Sequence, residues 1–226
     1  MGETFYPDND YRNYLAHFGV KGMKWGVRKQ RSKSDGYAAR ISRQAHQKEP
    51  RITRDVSSAI HAAGGSMYGL EHKLKTYSSI RRKIDTDALE KGIDTRQAAK
   101  DIKDAVRYTS ISSEKNFVRN YSKVRQTLER KGYTEIRCKN YFSLYAQGKV
   151  KHKSVQSVFM DPSGYRFELQ FQTPASQKAK DEKVPLYEER RKPGLSPQRQ
   201  HELERQMDIL AQRVPDPPGI ERIQTH

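Results

Sequence analysis

Between Arg166 and Thr173 apolar and polar residues alternate without a break: Phe167, Leu169 and Phe171 against Glu168, Gln170 and Gln172. A period of two predicts a half-buried β-strand with one face in a core. The other face then lines up a carboxylate and two amides on a rigid element. Such a row suits a substrate hydroxyl and a metal-bound phosphate. Val155 to Met160 is a second strand-like run, and Asp161-Pro162-Ser163-Gly164 joins the two. Pro at the second turn position and Gly at the fourth suit a type I turn, so a hairpin is predicted.

Elsewhere the spacing is helical. Phe117, Val118, Tyr121, Val124 and Leu128 predict an amphipathic helix over Phe117–Lys131, with Gly132 as its C-terminal cap. Weaker patterns predict helices at Val56–Ala63, Tyr68–Ile84 and Ser176–Arg191. A last helix over Pro197–Val214 carries Leu203, Met207, Leu210 and Val214 on one stripe. Thr95–Lys103 leads into a strand at Ala105–Ile111, and Tyr133–Lys139 is another strand. Pro215-Asp216-Pro217-Pro218-Gly219 stops regular structure. Apolar residues are sparse as far as Pro50, so residues 31–54 read as a flexible basic linker, or as an anion-binding arm. Residues 55–192 read as the folded domain and 193–226 as a C-terminal helix and tail.

Composition sharpens this division. Only 34% of the 226 residues are hydrophobic, too few for all of the chain to be packed core, so poorly ordered ends are expected. The net charge of +17 favours anionic partners: nucleic acid, nucleotides or an anionic membrane surface. Cys138 is the single cysteine, which excludes an internal disulfide and suits a reducing compartment. No apolar run approaches the ~20 residues of a membrane span, and the polar N-terminus lacks a secretory pattern. Met1-Gly2 opens the chain, but Tyr6 stands where an N-myristoylation signal wants Ser or Thr.

Three separated groups offer chemistry. Lys73, Lys75, Ser79 and Lys83 fall at spacings that would set Lys75, Ser79 and Lys83 on one helical face, able to grip successive phosphates. A solvated basic helix is the bland alternative. Asp104 and Arg107 open a predicted strand, where the acid can hold Mg²⁺ and the guanidinium can neutralise a phosphoryl group. A structural ion pair would use the same residues. The third group is the hairpin, with His152, Lys153, Ser154 and Gln156 facing Glu168, Gln170, Gln172 and Thr173. Cross-strand polar pairing is its structural alternative.

In order and spacing these groups resemble the synthetase domain of the RelA/SpoT family, the pyrophosphokinases that make guanosine alarmones. Lys73-x-Lys75-x-x-x-Ser79-Ile80-x-x-Lys83 is similar to the family's opening motif. Asp104 and Arg107, then Lys139-Asn140-Tyr141, then His152-Lys153-Ser154 and finally Glu168-Leu169-Gln170-Phe171-Gln172-Thr173 follow in the family's sequence of motifs. The resemblance covers roughly Gly65 to Arg190. It implies an α+β fold, a mixed β-sheet with flanking helices. It further implies ATP and Mg²⁺, with Lys73, Lys75, Ser79, Lys83, Lys139, His152, Lys153 and Ser154 binding nucleotide. Asp104 and Glu168 would hold the metal, and Glu168, Gln170 and Arg107 would act in catalysis on a nucleotide or tRNA 3′-hydroxyl. Departures are visible. Ile102 occupies the usual metal-Asp position, Asn140 replaces Asp, Gln156 replaces His and Gln172 replaces Arg. A non-catalytic, degenerate domain is the alternative they leave open.

Near the N-terminus, His17-Phe18-Gly19-Val20-Lys21-Gly22-Met23-Lys24-Trp25-Gly26 holds the only Trp. Closely spaced glycines permit tight turns, and Trp with Met supplies an anchor for a partner. The stretch resembles a His-x-Gly-Val-Lys-Gly-x-x-Trp-Gly segment of tailed-phage and prophage proteins. That similarity implies a docking segment over residues 1–30, using His17, Gly19, Lys21, Gly22, Trp25 and Gly26. Phage head or portal proteins would be its partners, and the protein would be virion-associated or in the host cytoplasm.

Overall fold

The computed structural model describes residues 33–190 and 194–226. Strands β1 (Ser66–Tyr68), β2 (Arg107–Ile111), β3 (Thr134–Asn140), β4 (Val155–Met160) and β5 (Arg166–Gln172) form one sheet in the order β1-β2-β5-β4-β3. β2 and β5 run parallel while the other neighbours are antiparallel, so the sheet is mixed. Helices α1 (Lys33–Ala63), α2 (Tyr77–Lys91), α3 (Thr95–Lys100), α4 (Phe117–Arg130), α5 (Tyr141–Ala146), α6 (Pro174–Arg190) and α7 (Pro197–Gln212) flank it. The fold is α+β, as the resemblance implied.

The alternating strand is β5, at the centre of the sheet. Its apolar face holds the core together. The Phe167 ring meets Tyr108 and Tyr133 edge-on, with centroids 6.0 and 5.9 Å away, and stacks against Phe159 at 5.8 Å. Phe171 meets Tyr121 of α4 at 5.0 Å. Such pairs contribute roughly 0.5–1.5 kcal/mol each beyond their burial, and the last one fixes α4 over this face. The hairpin forms as expected. Asp161 Oδ1 accepts from the backbone N–H groups of Ser163 and Tyr165, both at 2.8 Å, and Gly164 takes a positive φ of 84°.

Three expectations need correction. Of the linker expected over residues 31–54, residues 33–54 are not flexible, because α1 runs as one helix from Lys33 to Ala63, and the first two lie outside the described residues. Ala38, Ala45, Ile52 and Ala59 recur every seven residues and are all buried, joined by Val56, Ile60 and Ala63. This stripe packs on α2, α3 and α4. Ion pairs from Asp35 to Arg81 (3.2 Å), Glu49 to Lys73 (3.2 Å) and Asp55 to Lys131 (2.8 Å) tie its polar flanks down.

The helix expected over Tyr68–Ile84 is three pieces. Tyr68 ends β1, a 3₁₀ turn spans Leu70–His72, Lys73 closes that turn with helical dihedrals, and Leu74 bridges Val106. Helix α2 starts only after Thr76, whose Oγ1 accepts from the Ser79 N–H at 3.3 Å and caps it. Thr95–Lys103 does lead into a strand, by way of the short helix α3 that Asp94 caps, with β2 beginning at Arg107.

After α7 the C-terminal segment carries only a 3₁₀ turn at Ile220–Arg222, yet it is not poorly ordered. Val214, Ile220 and Ile223 are buried. Asn140 Nδ2 donates to the carbonyls of Ile220 (2.9 Å) and Ile223 (2.8 Å), and the backbones of Cys138 and His226 exchange both hydrogen bonds. Apolar burial and main-chain pairing on β3 hold this stretch in place.

Candidate active site

Residues paired across neighbouring strands point to the same side of a sheet. Arg107 pairs with Glu168, Thr109 with Gln170, Gln170 with Gln156, and Gln156 with Lys139. Arg137 of β3 pairs with Val158, itself opposite Glu168. Arg107, Glu168, Gln170, Gln156, Arg137 and Lys139 therefore share the face opposite the aromatic core. Carboxylate, amides and cations are thus gathered across four strands.

This face is not half-open, as the alternation predicted. Helix α6 lies over β5, and Glu168, Gln170 and Gln172 are only 9%, 5% and 3% exposed. Buried polar groups need partners, and α6 supplies them. Lys180 Nζ donates to Gln170 Oε1 at 2.8 Å, and Ser176 Oγ donates to Gln172 Oε1 at 2.6 Å. Gln170 Nε2 in turn donates to Glu168 Oε1 at 2.6 Å. Beside them Tyr141 packs on His152, with ring centroids 4.2 Å apart and planes 40° from parallel. Lys183 Nζ donates to the Lys151 carbonyl at 2.7 Å, closing that side.

Charge is unevenly compensated here. Burial, reinforced by Arg107, lowers the Lys180 ammonium to about 8. Burial also lowers Lys183 to about 8, against the pull of Asp208. His152 falls to about 4, first through burial and then through Lys183 and Lys180, so its imidazole is neutral near pH 7. Tyr141 is raised by burial and by the Glu168 carboxylate.

A second cluster lies at the mouth of β2. Asp104 Oδ2 is 2.9 Å from Lys75 Nζ and 3.8 Å from Lys83 Nζ. Burial would raise this carboxyl, but Lys75, Lys83 and then Arg107 together hold it below the ordinary carboxylate value. Lys75 and Lys83 converge on a carboxylate rather than along one helical face. The remaining predicted residues are dispersed. Ser79 is buried, its hydroxyl accepting from Thr76 Oγ1 at 3.0 Å. Lys73 points to Glu49. Lys153 is drawn away from nucleotide binding: its ammonium contacts the Val214 carbonyl and Asp216, both at 2.8 Å, and it lies over the Tyr145 ring. Ser154 Oγ is buried without a hydrogen-bond partner beside His152. Lys139 sits on the shared polar face. His17, Gly19, Lys21, Gly22, Trp25 and Gly26 lie outside the described residues.

Among the described residues no three His, Cys, Asp or Glu side chains gather into a metal cluster. Mg²⁺ needs less, since it keeps several waters and is held by one or two carboxylates plus substrate phosphates. Asp104 Oδ1 is a buried oxygen with no hydrogen-bond partner, Asp104 feels the charge of Arg107, and Glu168 pairs with Arg107 across the strands. This donor set fits the ion.

Sequence reasoning missed Lys180, Lys183 and Arg137. Arg137 was legible in principle, two residues before Lys139 and hence on the same strand face. The lysines of α6 carried no such signal, because Lys178, Lys180 and Lys183 look alike in a helix whose apolar pattern is weak.

The mixed five-stranded sheet with its flanking helices is a RelA/SpoT-like fold, shared with small alarmone synthetases. Among solved structures, small alarmone synthetase 1 from Bacillus subtilis bound to its product pppGpp is 16% identical with a TM-score of 0.52, covering 76% of this chain and 88% of that one. Small alarmone synthetase 2 from Bacillus subtilis is 13% identical with a TM-score of 0.52, covering 80% and 93%. A GTP pyrophosphokinase family protein from Streptococcus pneumoniae is 13% identical with a TM-score of 0.51, covering 81% and 90%. A family of unknown function, DUF7211, matches residues 8–32, the span that includes the Trp25-Gly26 segment. No curated protein matches the chain. No helix among the described residues is long and apolar enough to cross a membrane.

Proposed function

We propose that the domain is a pyrophosphotransferase that uses ATP and acts on the 3′-hydroxyl of a nucleotide or of tRNA. The observation that carries this reading is the buried Glu168 at the centre of a basic sheet face, in a fold shared with alarmone synthetases. ATP phosphates would meet Arg107, Arg137 and Lys139, and neutral His152 with Tyr141 would offer an aromatic surface to a base. Glu168 would take the hydroxyl proton as the 3′-oxygen attacks the β-phosphorus of ATP. The bond from that phosphorus to the α–β bridging oxygen breaks, and AMP leaves. Mg²⁺, held by Glu168 and Asp104 Oδ1 with the phosphates, would neutralise charge on the transferring group. Positioning and charge stabilisation supply most of the catalysis in such transfers. The net charge of +17 favours RNA as the acceptor.

A second reading has its own support: Lys75 and Lys83 are occupied by Asp104, which suits a non-catalytic domain. The segment matched over residues 8–32 is then the functional part, a docking element for phage head or portal proteins, whereas a toxin or host-takeover role belongs to the enzyme reading. Incubation with γ-labelled ATP, Mg²⁺ and GDP, GTP or bulk tRNA decides between them. Label should reach one acceptor, and Glu168→Gln should lower the rate by at least ~10²-fold, the scale of a lost general base. No transfer to any acceptor would overturn the enzyme reading. Loss of co-purification with phage particles on replacing Trp25 and Gly26 would support docking.

A further inference from the structure

The contact between α6 and β5 has a polarity that only one arrangement satisfies. An ammonium can only donate, an ionised carboxylate can only accept, and a glutamine amide has one end of each kind. Gln170 stands between them, its Oε1 2.8 Å from Lys180 Nζ and its Nε2 2.6 Å from Glu168 Oε1. Gln170 is 5% exposed and its backbone is fixed by pairing on both sides, to Thr109 and to Gln156. Reversing the amide would set its oxygen against the carboxylate and its NH₂ against the ammonium, two repulsive contacts in place of two hydrogen bonds.

We propose that Lys180 is a positioning residue: by holding Gln170 in one amide orientation it fixes the Glu168 carboxylate in the conformation that meets the acceptor hydroxyl. Lys180 need not touch substrate to do this. The charged groups around it are Arg107 on β2, Glu168 on β5 and Asp181 on α6, with the neutral, titratable His152 beyond the strand ends. Asp181 is engaged elsewhere, accepting from Tyr68 Oη at 3.0 Å and Gln177 Nε2 at 2.8 Å. The hydrogen bond of the Lys180 ammonium therefore goes to Gln170, and its desolvation is tolerated for that bond. Sequence offers no hint of the relay, since its members lie ten residues apart on different elements.

The kinetic arm of the test rests on the pyrophosphotransferase reading; the spectroscopic arm does not. In the full-length protein, the Gln170 side-chain NH₂ signal, assigned by its loss in Gln170→Glu, should be displaced and slow to exchange. Lys180→Met should return it toward free-amide shifts and fast exchange while circular dichroism stays native. Lys180→Arg, which keeps a donor, should retain most of the wild-type signal. In turnover, Lys180→Met should lower kcat by roughly 10- to 100-fold with the ATP KM within about twofold. Lys180→Ala should regain several-fold activity with propylammonium and none with propanol. An unchanged Gln170 signal in Lys180→Met overturns the relay, whatever the activity. A rise in ATP KM that accounts for the whole loss instead makes Lys180 a phosphate ligand and also overturns it. Wild-type protein without transfer activity, but with the expected Gln170 signals, would sink the reaction and leave the relay standing.

Discussion

Two basic clusters border the sheet, and they are in opposite electrostatic states. Lys75 and Lys83 close on Asp104, so each positive charge there has a carboxylate within 4 Å. Lys180 and Lys183, over the other end of the polar face, have only an amide and a main-chain carbonyl as hydrogen-bond acceptors. Both of the latter are pushed down to about 8, whereas the former cluster instead depresses its acid. A lysine that already holds a carboxylate must release it before gripping a phosphate. A desolvated lysine holding only neutral acceptors gains from any anion that arrives. The cluster that resembled a phosphate grip in sequence is thus the one already holding a carboxylate, and Lys183, which escaped notice and holds only a main-chain carbonyl, is the one poised for an anion.

The largest effect should come from opening the closed cluster. Asp104→Ala removes the carboxylate that Lys75 and Lys83 share, and breaking a buried pair from one side costs about 3–5 kcal/mol. Denaturant unfolding should show a fall of that order in the midpoint-derived stability. A loss under 1 kcal/mol would mean the cluster is effectively solvated and the contrast between the two regions is false.

Next is the acid limb of stability. His152 has a folded pKa of about 4, lowered by burial, Lys183 and Lys180. Between that value and the unfolded value near 6.5 the unfolded chain binds a proton that the native one does not, so stability falls as pH drops through this window. The loss is about 3 kcal/mol across the window. His152→Phe should flatten that slope in urea titrations at pH 4.5 and 6.5; an unaltered slope would place the titrating group elsewhere.

The smallest effect, and the most discriminating, is anion stabilisation. Inorganic pyrophosphate at 100 times its Kd should stabilise the fold by about 2.7 kcal/mol, read as a rise in Tm. Lys183→Met should remove most of that rise, and Lys75→Met should leave most of it after correction for its own lower starting Tm. The reverse ranking would assign the anion to the Asp104 cluster.

How much of this was legible follows from what each signal measures. The alternation over β5, the Asp161–Gly164 turn and the α4 stripe are local patterns, and each formed where the residues placed it. Helix α1 was misread because its buried stripe is mostly alanine, spaced by sevens among Arg, Gln and Lys, which an eye for large apolar residues passes over. The start of α2 was misplaced because apolar spacing is silent on capping, and Thr76 was the decisive residue. The site was half legible. Glu168, Gln170 and Arg107 share a face by strand period and register, whereas the partners of Lys73, Lys75 and Lys153 come from Glu49, Asp104 and Asp216, distant positions that no local spacing encodes.

The docking of the C-terminal segment on β3 has a consequence for assembly. Without it β3 would be a bare sheet border, a template on which another chain could add a strand. The Cys138–His226 backbone pair and the Asn140 clamp occupy part of that template from within the same molecule. Strand addition there requires displacing Ile220 and Ile223 first, so cutting the chain ahead of Ile220 would turn a shielded border into a self-association surface.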